Sequence, residues 1–199
     1  MTSFRTLHVD QKATTTSVTV LSRTLTAKVL EELEVAIEQA PNTLIISGRD
    51  GYFAAGADIS QIHQLLGPEA LAFARRGQAL LNKLSRRNAA SVAAIDGFCL
   101  GGGLDLALAC DLRYATARST FAHPGGRIGI LTGWGGTRRL PQTVGKSRAL
   151  EMMVAGRWLD ASEALDWGLI GSIVENPVEY AMSRTAINKS IDNRKQRRN

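Results

Sequence analysis

Three consecutive glycines, Gly101, Gly102 and Gly103, stand directly before an apolar run in IDGFCLGGGLDLALACD (95–111), and one carboxylate, Asp105, follows them by two residues. A helix start leaves backbone N–H groups without intrahelical acceptors, and the aligned peptide dipoles make that end partly positive. Glycine lets another molecule's polar atom approach the backbone without meeting a Cβ. The pattern therefore reads as a bare helix N-terminus able to receive a negative oxygen. The apolar run behind it predicts a helix buried on most faces, so that the site is rigid and dry.

A second segment has the same design. YFAAGADISQI (52–62) carries small residues, then Asp58, with Gln61 three positions on. That spacing is a capping-box pattern and predicts a helix beginning at Asp58. The N–H of Ala57, just ahead of it, would then be unengaged. Two such donors on two helix starts can clasp one oxygen and stabilise an enolate or a tetrahedral oxyanion. Taken singly, each segment is equally a tight turn or a close helix contact. The glycine triplet does not fit G-x-G-x-x-G, so a dinucleotide site is not indicated.

The elements that must position these groups are legible in outline. FRTLHV (4–9) and SVTVLS (17–22) read as short strands. In 25–40 apolar residues recur at helical spacing, with Glu31, Glu32 and Glu34 turned outward and Pro41 as the stop. Residues 42–48 and 91–97 read as buried strands, and 119–122 as another short one. Helices are predicted over 145–156 and over 160–168, the latter capped by Asp160 with Glu163 three residues on and ended by Gly168. Strands alternating with helices imply α/β layering.

Composition narrows the function. The 199 residues are 44% hydrophobic and 21% charged, ordinary for a globular domain. No apolar run approaches the ~20 residues needed to span a bilayer, and the first residues lack the apolar core of a secretory signal. Cys99 and Cys110 are too few for a disulfide framework, so a cytoplasmic location is expected. Of the net charge of +6, Arg194, Lys195, Arg197 and Arg198 near the end supply four. The body is therefore not a basic nucleic-acid binder. The tail reads as a solvated terminus or, alternatively, as an RNA contact.

Together FAAGADI (53–59), AAIDGFCLGGGLDLALACDLRYA (93–115) and GWGGTRRLPQTVGKSRALEMMVAGRWLDASEALDWGLI (133–170) resemble the crotonase superfamily, the enoyl-CoA hydratase/isomerase proteins, in order and spacing. FARRGQALLNKL (73–84) is similar to that family's connecting helix. The resemblance spans roughly 15–175. It implies an α/β spiral of ββα units, assembled as homotrimers or hexamers, with a crotonase-like acyl-CoA-binding core over 1–175. Residues 176–199 would be a shortened C-terminal helical segment and basic tail. It implies an acyl-CoA substrate, with coenzyme A entering as part of the thioester and neither a permanently bound cofactor nor a metal. The thioester oxygen would lie between the N–H groups of Ala57 and Gly102. Ala55, Asp58 and Ile59 fall where the family contacts the coenzyme A moiety.

The chain also departs from the family. Its hydratases use two glutamates, the first two residues after the glycine triplet, where this chain has Asp105. The second lies 20 positions on, directly after a proline, where this chain has Gly125. Two-glutamate hydration is therefore not expected. His123, which a strand running to Pro124 would turn to the same face as Gly125, is the candidate partner of Asp105. Arg127 and His63 are weaker candidates. Trp134 reads as a wall of the acyl pocket and Asp111 as structural. The loop between the second strand and first helix is shorter than the family's. Isomerisation, one-base hydration, thioester hydrolysis and decarboxylation all fit an enolising site of this kind. The alternative is a non-catalytic acyl-CoA-binding or RNA-contacting protein on the same fold.

Overall fold

The computed structural model describes residues 3–184. It opens with β1 (Leu7–Gln11) and β2 (Thr15–Val20), an antiparallel pair in which Leu7 faces Val20. Helix α1 (Ala27–Gln39) follows. The Thr26 hydroxyl caps it by accepting from the Val29 N–H at 3.3 Å, and Val29, Leu30, Leu33, Ala36 and Ile37 form its buried stripe. Three ββα turns come next. The first is β3 (Thr43–Ser47), β4 (Tyr52–Ala54), then α2 (Ile59–Gln64) and α3 (Gly67–Ser85). The second is β5 (Ser91–Ile95), β6 (Phe98–Leu100) and α4 (Gly102–Ala109). The third is β7 (Leu112–Ala115), β8 (Thr120–Ala122), a 3-10 turn (Pro124–Ile128), α5 (Gly136–Val144) and α6 (Lys146–Met153). Strand β9 (Trp158–Asp160), α7 (Ala161–Asp166), β10 (Ser172–Ile173) and α8 (Pro177–Ser183) complete the described chain.

Each turn gives one strand to each of two sheets. Among the described residues the larger sheet runs β1-β2-β3-β5-β7-β10 and the smaller β4-β6-β8-β9. Pairing from β2 to β10 and from β4 to β8 is parallel, which is the spiral expected from the sequence. The corner between β5 and β6 turns at Gly97, whose φ of 81° suits glycine alone and whose Cα faces the Gly51 carbonyl too closely for a Cβ. Between the layers lies one main core, including Leu33, Leu44, Ile46, Phe53, Leu80, Leu84, Ile95, Leu106 and Phe121. Strands β3 and β5 are buried on both faces. Their far side, with Ile45, Val92 and Ala94, packs together with Tyr114 of β7 against Ala181 of α8.

Several boundaries move from the sequence expectation for identifiable reasons. The first strand begins at Leu7 rather than at residue 4, because the Arg5 and Thr6 N–H groups donate to the Glu32 carboxylate at 3.1 and 2.8 Å. Glu32 is thus not turned outward with Glu31 and Glu34 but is buried, at 5% exposure, and also accepts from the Thr6 hydroxyl at 2.8 Å. Asp58 caps α2 as the sequence predicts, with Ser60 rather than Gln61 as the main donor to its carboxylate. The Asp58 carboxylate takes the Ser60 N–H and hydroxyl at 3.0 and 2.6 Å. At Asp160 the cap forms as read, accepting the Glu163 N–H at 2.8 Å. Helix α3 starts at Gly67, ahead of the 73–84 segment, with Pro68 in its first turn.

Burial pushes the Glu32 carboxyl up, but the Thr6 and Arg5 N–H donors, the Thr6 hydroxyl and Lys28 outweigh it and hold the group below the usual glutamate range. Its stabilising contribution is therefore present above the ordinary carboxylate pKa and is lost as pH falls through the lowered folded value. Glu32→Gln is expected to lower stability at pH 7 by about 1–3 kcal/mol, because charged acceptors make the stronger hydrogen bonds. In urea unfolding, the gap between parent and variant should narrow as pH falls below about 4.

Candidate active site

Parallel register brings the chemistry-bearing residues to one edge. Ala54 of β4 pairs with Cys99 of β6, and Leu100 of β6 with Ala122 of β8. Ala57 and Gly102 each lie three residues beyond their paired strand positions, and His123 directly follows β8. All three emerge at the C-terminal ends of neighbouring parallel strands, the edge at which open α/β sheets commonly present their ligand groups.

The 55–57 and 100–102 segments pass very close together. Gly56, with φ of 94°, has a Cβ position 3.0 Å from the Leu100 carbonyl oxygen and 3.2 Å from the Gly102 nitrogen. The Cβ position of Gly102 lies 3.4 Å from the Ala57 nitrogen. The neighbouring polar groups are spent: the Ala55 N–H donates to Arg23 at 2.7 Å, and the Gly56 carbonyl accepts from Leu25 at 2.8 Å. Gly102 opens α4, so its N–H has no intrahelical acceptor. Among the described residues, no hydrogen bond engages the N–H of Ala57 or of Gly102. The Trp134 indole covers one flank of this start, its Cζ3 2.5 Å from the Gly102 Cβ position, and packs at a tilt against Phe73 with ring centroids 5.4 Å apart and planes at 55°.

Asp105, in the first turn of α4, is fully buried. The Thr132 hydroxyl donates to its Oδ2. Its Oδ1 has no hydrogen-bond partner and faces His123 Nε2 at 3.5 Å; that nitrogen is also buried and without a partner. Burial pushes the Asp105 carboxyl up to about 6, against the Thr132 hydroxyl, the Arg139 charge and the N–H groups of Trp134 and Gly136 at the start of α5. Burial alone depresses His123 to about 4, so the imidazole is neutral near pH 7. A carboxylate titrating near neutrality beside a neutral imidazole is suited to proton transfer. Such strongly shifted, buried groups cluster at functional sites.

The strand expected to reach Pro124 ends at Ala122, and the chain enters a 3-10 turn at Pro124. His123 and Gly125 therefore do not share a strand face. His123 reaches Asp105 because β8 lies beside β6. At Gly125 a Cβ would run into the Ile130 carbonyl oxygen, while the Gly125 carbonyl accepts from the Ile130 N–H at 2.9 Å.

The other residues singled out in the sequence fall into two groups. Ala55 and Asp58 flank Ala57 and are half-buried, and Ile59 begins α2 with 55% of its surface exposed. His63 on α2 and Arg127 in the last turn of the 3-10 segment are exposed. Asp111 is structural: its Oδ2 accepts the Ser91 N–H and hydroxyl, both at 2.8 Å. Burial raises the Cys99 thiol well above its ordinary pKa, and Cys110 donates to the Leu106 carbonyl. Arg194, Lys195, Arg197 and Arg198 lie outside the described residues. No described helix is long and apolar enough to cross a membrane. Sequence reasoning missed Thr132 and Arg139. The Arg139 guanidinium donates to the Trp134 carbonyl at 3.0 Å and to Asn82 at 2.8 Å, fixing the turn that carries the Asp105 contacts.

The chain is similar to known proteins in both sequence and fold. The family described as enoyl-CoA hydratase/isomerase matches residues 13–195. A probable enoyl-CoA hydratase of Bacillus subtilis (strain 168) is 38% identical over 169 residues, covering 82% of this chain and 66% of the relative. The fatty acid oxidation complex subunit alpha of Idiomarina loihiensis is 39% identical over 156 residues, 74% of this chain but 22% of that subunit. The chain thus spans about a fifth of the length of such alpha subunits and just under two thirds of the Bacillus protein. Among solved structures, Pseudomonas aeruginosa DspI superposes with a TM-score of 0.88 at 30% identity, over 95% of this chain and 76% of DspI. An enoyl-CoA hydratase from Bacillus anthracis gives 0.85 at 28% identity, over 94% and 77% of the two chains.

Proposed function

The chain belongs to the enoyl-CoA hydratase/isomerase family, and from that premise we propose that it is an enzyme of acyl-CoA thioesters that works through an enolate and a single carboxylate. The thioester oxygen is held by the N–H groups of Ala57 and Gly102. Ionised Asp105 takes the α-proton, and the C–H electron pair moves into the Cα–C(O) bond as negative charge gathers on the oxygen between the two donors. Protonated Asp105 then returns the proton, either to the α-carbon or, in an unsaturated acyl group, to the γ-carbon. The second course shifts the double bond and consumes nothing else, so isomerisation is the reaction such a site performs most simply. His123 stays neutral and faces the oxygen that carries the proton. Fixed donors of this type contribute about 3–4 kcal/mol each to the transition state.

The observation that carries the reading is the close approach of two unengaged N–H groups, at Ala57 and Gly102, beside a buried carboxylate whose pKa is raised to about 6. One observation favours a second reading. Asp105 is wholly buried and hydrogen-bonded, as a structural carboxylate would be, which suits an acyl-CoA binder without turnover. Incubation with saturated, 2-enoyl, 3-enoyl and 3-hydroxyacyl CoA esters in D₂O separates the two. The enzyme reading expects α-deuteration in mass spectra and double-bond migration in a 3-enoyl ester. Ester binding without deuterium uptake from any member of the panel would establish the binder instead.

A further inference from the structure

We infer that Thr132 is a positioning residue for Asp105: its hydroxyl fixes Oδ2 and thereby commits Oδ1 to proton transfer. The inference rests on the reading above in taking Asp105 as the proton-transfer group. It goes beyond that reading in assigning a role to a residue of the loop before α5.

The geometry is asymmetric. A free carboxylate offers two equivalent oxygens and rotates about χ2, a soft torsion for aspartate. Here Oδ2 accepts from Thr132 Oγ1, whereas Oδ1 makes no hydrogen bond, faces His123 and lies against the Gly136 backbone at the start of α5. A hydroxyl donating to one oxygen stops the exchange of the two. It also favours the ionised form, opposing the burial that disfavours it. Thr132 is itself held in place. It lies just before the Trp134 turn, where the Gly133 carbonyl accepts from Gln78 of α3 at 2.7 Å and Gly133 packs on Ala74 of the same helix. The Cβ position of Gly136 lies beside the Thr132 methyl, at 2.7 Å from Cγ2. Helix α3 thus anchors the loop that orients a carboxylate on α4. The other titratable and charged groups around Asp105 are His123 after β8, Arg139 of α5 and the Cys99 thiol of β6.

Thr132→Val keeps the shape and removes the donor, and Thr132→Ser keeps the donor and removes the methyl. The Asp105 carboxyl is followed by ¹³C NMR titration in the full chain, and α-proton exchange is measured against pH with an ester that exchanges in the parent. In Thr132→Val the Asp105 pKa and the acid limb of the exchange profile should both move up by about one pH unit. Plateau exchange should fall roughly tenfold, on the scale of a misplaced group, with KM little changed. Thr132→Ser should restore both. A threonine that only packs within its loop would move neither the titration nor the plateau. An unshifted carboxyl in Thr132→Val, with an unchanged plateau, overturns the inference while leaving the enolate reading intact. Undiminished exchange in Asp105→Asn overturns that reading instead. Should Thr132→Val not fold, Thr132→Ala carries the same titration with the same two outcomes.

Discussion

Asp105→Asn is expected to reduce α-proton exchange by at least 10²-fold and up to about 10⁴-fold, the range for removing a positioned general base, while leaving the fold intact. The amide matches the carboxylate in size, so the Thr132 hydroxyl keeps an acceptor and the core around α4 keeps its volume. The signature to seek is lost exchange with undiminished stability. The carboxyl, raised to about 6 in the folded chain, keeps its proton where an unfolded aspartate, near 3.8, has lost it. Its contribution is therefore present below about pH 4 and declines as pH rises to about 6. His123 runs the other way. Its folded value of about 4 lies below the ordinary 6.5, so stability is lost as pH falls through that interval. In the parent the two trends oppose each other between about pH 4 and 6. Asp105→Asn removes one of them, and its Tm should equal or exceed the parent's at pH 8 and drop more steeply below pH 6. Thermal unfolding across pH, with exchange measured on the same samples, tests this. A variant that loses both Tm and exchange at pH 8 would mark Asp105 as structural.

Gly102→Ala should be nearly as damaging through geometry alone. The new Cβ would lie 2.5 Å from Trp134 Cζ3 and 2.7 Å from Cε3. The indole has little room to yield, since Gly77 of α3 lies close against its Cδ1–Nε1 edge and Phe73 packs at a tilt against it. The start of α4 must shift, and the Gly102 N–H shifts with it. A displacement on the order of 1 Å costs about 10²-fold in rate, and the overpacking about 1–3 kcal/mol in stability. Adding Trp134→Ala opens the space the methyl needs. If displacement is the cause, the double variant exchanges faster than Gly102→Ala alone, and independent, multiplying losses would rule that cause out.

What could be read from the chain follows from how local each signal is. The α1 stripe, the Asp160 cap and the glycine start of α4 are written within a few consecutive residues, and each forms at or within a residue or two of its expected place. Strands β4, β6 and β8 have three residues each, too few for a period to declare itself, although their parallel register assembles the site. In the sequence Asp105 is marked by its distance from the glycines and His123 by its distance from Gly125; their approach depends on β6 pairing with β8. The burial of Glu32 and the Thr132 contact join residues about 26 and 27 positions apart. Helical spacing assigned Glu32 to solvent because nothing nearby announced that residues 5 and 6 would cross it.

The Ile130 carbonyl beside Gly125 has a consequence for redesign. A protein engineer wishing to install a second acid in the manner of the two-glutamate hydratases could not do so by changing that codon alone, since the first atom of any side chain there meets main chain. The segment from 128 to 132 would have to be rebuilt first, and that rebuilding would disturb Thr132 and its grip on Asp105. Gaining the new acid and keeping the existing base are therefore competing demands on five consecutive residues. A library that varies the whole segment together is the practical route between the two chemistries.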